Sequence, residues 1–128
     1  MCVRGYSEMQ FVLKNVTDDR IRGYFVWLPI ISGDDRAFAV ERSTEFTDDR
    51  ITHYWDGEQL TAKAWDSVLE TQDIAWDVYL IYGPTSSWEK EPPAPVFWMH
   101  GLMGIVHAPQ LDRAVFETKL RELLKSAK

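Results

Sequence analysis

The chain has 128 residues, a formal net charge of −6, and a composition that is 45% hydrophobic and 13% aromatic. Its length suits one domain over residues 1–128, and its apolar content excludes an intrinsically disordered chain. The 14 Lys and Arg residues are scattered among 20 Asp and Glu residues. This pattern disfavours nucleic acid and anionic membrane surfaces as partners.

The first half of the chain predicts two helix–strand units. Apolar residues at spacings of three and four predict a helix over 3–14. The nearly continuous apolar run at 21–31 predicts a strand buried on both faces, as in a parallel sheet. Ser32 or Asp34 is expected to cap a second helix over about 35–46.

A second strand and a third helix are expected next. RITHYW at 50–55 has the composition of a strand. Asp56 and Gln59 have the spacing of a capping box, in which Gln59 is the third helical residue. The predicted helix carries an apolar stripe of Leu60, Ala64, Trp65, Val68 and Leu69.

The last third of the chain predicts two strands and a helix. The strands are expected at 75–83 and 96–100, and the loop between them predicts that they pair antiparallel. Asp112 is expected to cap a final helix that runs to about Leu124. The order α–β–α–β–α–β–β–α predicts an α/β protein with one mixed, mainly parallel sheet flanked by helices.

One internal echo raises the question of a repeat. TDDRIRGYF at 17–25 returns as TDDRITHYW at 47–55. A repeat array would need further copies, and residue 77 begins the unrelated stretch DVYLIYGPT. We therefore interpret the two stretches as one local solution for the turn that leads into a strand.

Four stretches resemble a group of bacterial thioredoxin-like proteins of uncharacterised function. They are YFVWLPIISGDDR at 24–36, DDRITHYWD at 48–56, AWDVYLIYGP at 75–84 and FWMH at 97–100. The resemblance implies a thioredoxin-like fold whose first strand is missing from this chain. It also implies a bacterial protein.

The resemblance directs attention to Cys2. In thioredoxin-like proteins a Cys-x-x-Cys motif begins the first helix, and here Cys2-Val3-Arg4-Gly5 stands in that place. Cys2 matches the first cysteine of the motif, or the second if the register is shifted. A thiol at a helix N-terminus is favoured as thiolate by the helix dipole, and Arg4 adds positive charge. The alternative is an ordinary thiol on a frayed chain end.

The absent first strand has a physical consequence, because it normally lies in the centre of the sheet. Strand edges without a partner carry unsatisfied N–H and C=O groups. Three explanations stay open: the remaining strands close up, another chain supplies the pairing, or the natural reading frame starts upstream. We favour the second and predict a homodimer.

Aromatic side chains supply the candidate binding residues. Trp27, Trp55, Trp76 and Trp98 each lie in or beside a predicted strand, and most of them must belong to the core. If the sheet lacks a strand, some of this surface forms a groove or a dimer contact. Trp55, Trp76 and Trp98, together with His100, are our candidates for binding a flat apolar ligand or a protein partner.

The histidines do not predict a metal site. His53, His100 and His107 are far apart in sequence, so we interpret them as hydrogen-bonded structural residues. No cofactor-binding motif is present, and no metal or cofactor is expected. The single cysteine and the absence of a signal-peptide pattern indicate a cytoplasmic protein.

Two functions follow from these features. The favoured one is a non-catalytic, degenerate thioredoxin-like protein that acts through dimerisation and ligand or protein binding. The alternative is a thiol-dependent oxidoreductase that uses Cys2 alone for thiol–disulfide or peroxide chemistry.

Overall fold

The computed structural model describes residues 3–30 and 35–127. Within them, helices and strands follow the order predicted from the sequence. The helices are α1 (Val3–Asn15), α2 (Arg36–Ser43), α3 (Leu60–Leu69) and α4 (Arg113–Ser126). The strands are β1 (Gly23–Trp27), β2 (Ile51–Trp55), β3 (Val78–Ile81) and β4 (Phe97–His100). None of these helices is long and apolar enough to cross a bilayer.

The strands form two small sheets. β1 and β2 pair in parallel, with Gly23 opposite Ile51. β3 and β4 pair antiparallel, with Val78 opposite His100, as the loop between them predicts. The α/β class is therefore confirmed, whereas the predicted single mixed sheet is replaced, among the described residues, by two sheets of two strands.

Both sheets share one hydrophobic core. Its buried residues from β1, β3 and β4 are Phe25, Trp27, Tyr79, Ile81 and Met99. Helix α1 contributes Tyr6 and Val12 to this core, each 1% exposed, and α4 contributes Phe116. Helices α1 and α4 contact each other, and Arg113 lies over the ring of Phe11 at 3.8 Å.

At the start of α2, of α3 and of α4, an aspartate side chain accepts hydrogen bonds from backbone N–H groups. Asp112 accepts hydrogen bonds from the N–H groups of Ala114 (2.9 Å) and Val115 (3.2 Å), which confirms the predicted cap of α4. The cap of α2 is Asp35, which accepts from Phe38 N–H at 2.8 Å. The predicted caps Ser32 and Asp34 lie outside the described residues.

Helix α3 starts later than the capping-box spacing predicts. Asp56 does accept hydrogen bonds from the N–H groups of Leu60 (2.9 Å) and Thr61 (2.8 Å). Gln59 is not the third helical residue, because it precedes the helix in a left-handed conformation with φ 60°. Its side-chain amide donates to the carbonyl of Pro29 at 2.5 Å, a tertiary partner that the local sequence does not reveal.

The two TDDR turns have the same local geometry. In each turn the aspartate accepts from the backbone N–H of the arginine two residues later, at 2.9 Å, and binds its guanidinium. Arg20 then donates to carbonyls at the end of α4, and Arg50 to carbonyls at the end of α1. This supports the interpretation of the echo as shared turn chemistry, in which a cation caps a helix C-terminus.

Candidate functional site

The candidate site is the face of the β1–β2 sheet that points away from the core. Alternation along the strands places Tyr24, Val26, Thr52 and Tyr54 on this outer face. Tyr24 is 64% exposed and Tyr54 is 51% exposed. The expectation of a strand buried on both faces is therefore wrong for β1. Parallel strands are normally covered on both sides, so this outer face is unusual.

The two tyrosines of the outer face lie side by side. Their ring centroids are 6.4 Å apart, with an angle of 31° between the ring planes. The register places Tyr24 opposite Thr52 and Val26 opposite Tyr54, so the tyrosines are diagonal neighbours. These residues carry no formal charge, although the chain as a whole has a net charge of −6. The outer face is thus a neutral aromatic strip on an acidic molecule.

The inner face of the same sheet holds a half-buried histidine, His53. Nδ1 of His53 accepts a hydrogen bond from the indole N–H of Trp27 at 3.0 Å, which leaves the ring proton on Nε2. Rings of Tyr6, Phe25 and Trp27 surround His53, and its Nε2 is buried without a hydrogen-bond partner. This burial lowers the pKa of His53 below its ordinary value.

Two residues proposed from the sequence come together in the other sheet. Trp98 and His100 lie on β4 with ring centroids 5.6 Å apart, and Trp98 also contacts His107 at 5.8 Å. His100 is completely buried, and His107 donates a hydrogen bond to the carbonyl of Leu69 at 2.7 Å. Within the described ranges, no group of three or more His, Cys, Asp and Glu residues is arranged to hold a metal ion.

The other proposed residues lie elsewhere. Trp55 is on β2 and packs against the core from the inner face of the first sheet. Trp76 is half-buried and lies two residues before the start of β3. Cys2 lies outside the described residues. The structure therefore groups Trp98 with His100 but places Trp55 in a different sheet.

Asp77 is a buried carboxylate that was not predicted from the sequence. This carboxylate is 7% exposed and accepts a hydrogen bond from the hydroxyl of Tyr79. The hydroxyl packs against Gly5 in the first turn of α1, where a β-carbon would lie 1.5 Å from it. From the other side, a β-carbon on Gly101 would lie 2.1 Å from Asp77 Oδ2. The available signal was an aspartate within the apolar run AWDVYLIYG, since buried carboxylates are rare without a partner.

A shallow cleft of about 370 Å³ lies between the C-terminal end of α1 and α4. Asn15, Thr17, Asp18 and Arg121 contribute polar groups to its lining. A flat apolar ligand would gain little there, because such ligands bind in mainly apolar pockets.

Comparison with protein-family models, with curated proteins and with solved structures finds no match to this chain.

Proposed function

We propose that this chain is a non-catalytic, thioredoxin-like bacterial protein of the cytoplasm that acts by binding a second copy of itself. The observation that carries the proposal is the outer face of the β1–β2 sheet, where Tyr24 and Tyr54 are more than half exposed. Tyrosine is enriched in protein interfaces, because its ring buries a large area and its hydroxyl finds a polar partner.

A second copy is the occupant that fits the charge of this face. A twofold interface joins the same patch on both subunits, so any charge in the patch meets its own sign. Tyr24, Thr52 and Tyr54 are uncharged, and the two acidic molecules can meet there without placing carboxylates opposite one another. The surface area that two tyrosines can bury is smaller than the about 800 Å² per partner of a standard interface, so we expect a weak, concentration-dependent dimer.

Light scattering coupled to size-exclusion chromatography tests this proposal over a concentration series. We expect the mass to rise from that of the 14.9 kDa chain toward twice this value as concentration increases. The variants Tyr24→Glu and Tyr54→Glu should remain monomeric, because each places like charges opposite one another across the twofold axis. Val96→Glu is the matched control, since Val96 is also 64% exposed but lies at the β3–β4 sheet. A monomer at all concentrations, or a dimer that both tyrosine variants retain, would contradict the proposal.

One observation favours the alternative, a single-thiol oxidoreductase that uses Cys2. The buried Asp77–Tyr79 pair lies against the first turn of the helix that follows Cys2 in sequence. A carboxylate and a phenol at this position could accept and return a proton during thiol chemistry. A maleimide titration of the wild type and of Asp77→Asn tests this function. An apparent thiol pKa below about 8.5 that changes in Asp77→Asn supports it, and an ordinary value in both proteins refutes it.

A further inference from the structure

Residues 101–110, in the loop between β4 and α4, are clamped at both ends. Nδ1 of His100 accepts a hydrogen bond from the N–H of Leu102 at 3.0 Å, so Nε2 carries the proton and donates to the carbonyl of Ala108 at 3.0 Å. The side-chain amide of Gln110 donates to the carbonyl of Leu102 at 3.1 Å. The backbone N–H of Leu111 donates to the carbonyl of His100 at 2.8 Å. These bonds cross the base of the loop and fix its shape.

Apolar side chains of this loop point in two directions. Leu102 and Ile105 are each 7% exposed and anchor the loop to the protein, whereas Met103 is 96% exposed and Val106 is 94% exposed. The clamp therefore holds a methionine thioether almost entirely in solvent. The contrast with the other described methionines is large, because Met9 is 6% exposed and Met99 is 1% exposed.

We propose that Met103 is a site of oxidation by hydroperoxides, at which the apolar tip of the clamped loop becomes polar while the fold stays intact. The thioether sulfur attacks the outer oxygen of the peroxide, so an S–O bond forms and the O–O bond breaks. Sulfur is oxidised to the sulfoxide, and the peroxide is reduced to water or an alcohol. The reaction replaces a flexible apolar side chain with a polar one, and methionine sulfoxide can be reduced again.

The burial of the methionines predicts how selective this reaction is. A buried thioether reacts only when the surrounding structure opens, whereas Met103 is accessible in the native state. Met103 packs against almost nothing, so its oxidation removes no core contact. Oxidation at Met99 would instead place a polar group in the core and unfold the protein.

Hydrogen peroxide treatment of the folded full-length chain, followed by tryptic digestion and tandem mass spectrometry, tests the proposal. Met9 falls in the peptide 5–14, whereas Met99 and Met103 share the peptide 91–113 and must be separated by fragment ions. We expect sulfoxide to form at Met103 at least about tenfold faster than at Met9 and Met99, because those two react only through local opening. Equal rates at the three positions would overturn the proposal.

Two controls accompany the measurement. In Met103→Leu, the early addition of one oxygen to the peptide 91–113 should disappear, and its persistence would show that another residue reacts first. In urea, the three rates should converge, because the chain no longer protects Met9 and Met99. Circular dichroism of the oxidised protein should show an unchanged cooperative thermal transition. A lost or strongly lowered transition would mean that oxidation damages the fold, which contradicts the proposal.

Discussion

Replacing Arg50 by alanine should destabilise the protein far more than replacing Arg20, although both arginines belong to the same TDDR turn. The Arg50 guanidinium donates to the carbonyls of Leu13 (2.7 Å) and Val16 (2.6 Å) at the end of α1, and binds both carboxylate oxygens of Asp48. The Arg50 side chain is 12% exposed, whereas that of Arg20 is 49% exposed.

The magnitude follows from what the alanine would leave behind. The carbonyls of Leu13 and Val16 would lose their donor, and the Asp48 carboxylate, whose side chain is 17% exposed, would lose its cation. Removing one partner of a buried, hydrogen-bonded ion pair costs about 3 kcal/mol or more. For a chain of this size, that loss lowers the midpoint of thermal unfolding by about 10 °C. The ion pair of Arg20 is exposed, so water solvates the groups that the arginine leaves behind. Arg20→Ala should therefore unfold close to the wild-type temperature.

Urea unfolding followed by circular dichroism measures the difference between the two variants. The double variant Asp48→Ala/Arg50→Ala should lose less stability than the two single variants lose in sum, because no carboxylate is left unpaired. The Arg50 guanidinium lowers the pKa of Asp48, so the stability from this pair is present above the ordinary aspartate pKa and is lost as pH falls through the lowered one. The difference in the free energy of unfolding between wild type and Arg50→Ala should therefore become smaller in acid. Equal losses for Arg50→Ala and Arg20→Ala would refute the reasoning.

Two further variants test the packing at α1 and the half-buried His53. A glycine-to-alanine change stabilises most helices, but Gly5→Ala should reduce the stability by about 1–3 kcal/mol, because the new β-carbon would collide with Tyr79. Thermal unfolding measures this loss. The control is Gly83→Ala, which should be nearly neutral because there is open space around Gly83. His53→Asn keeps an acceptor for the Trp27 indole but cannot titrate. Burial lowers the pKa of His53, so the unfolded chain binds its proton first and stability falls as pH drops below about 6.5. Urea midpoints between pH 7 and 5 should therefore decline less in His53→Asn, and an unchanged slope would contradict this.

Local signals in the sequence predicted the order of the elements because each element carries its own periodicity. The helix that ends the chain is the clearest case, since Asp112 caps it as its spacing predicts. The apolar run at 21–31 was misleading for a physical reason. A tyrosine can lie on an exposed strand face, because its hydroxyl stays in water, so an apolar count does not distinguish Tyr24 from the buried Trp27.

Contacts between distant segments could not be predicted. Gln59 precedes α3 rather than lying inside it, and its side chain donates to the carbonyl of Pro29, thirty residues earlier. The arrangement of two sheets depends on which strands pair, and strand pairing is a long-range property. Of the candidate binding residues, Trp98 and His100 are neighbours because β4 carries both of them, whereas Trp55 belongs to the other sheet.

The internal echo connects the sequence to the candidate interface. Residues 30 positions apart are equivalent in the two TDDR stretches, so Tyr24 corresponds to Tyr54. In the sheet, however, Gly23 lies opposite Ile51, which shifts the pairing by two residues from this equivalence. Side chains alternate with a period of two, so an even shift keeps equivalent residues on one face, and a shift of one would place them on opposite faces. The same two-residue shift separates the tyrosines diagonally, at the 6.4 Å between their ring centroids. The recurrence of similar turn-and-strand residues and an even register are together sufficient to produce the neutral aromatic strip on which the proposed dimer depends.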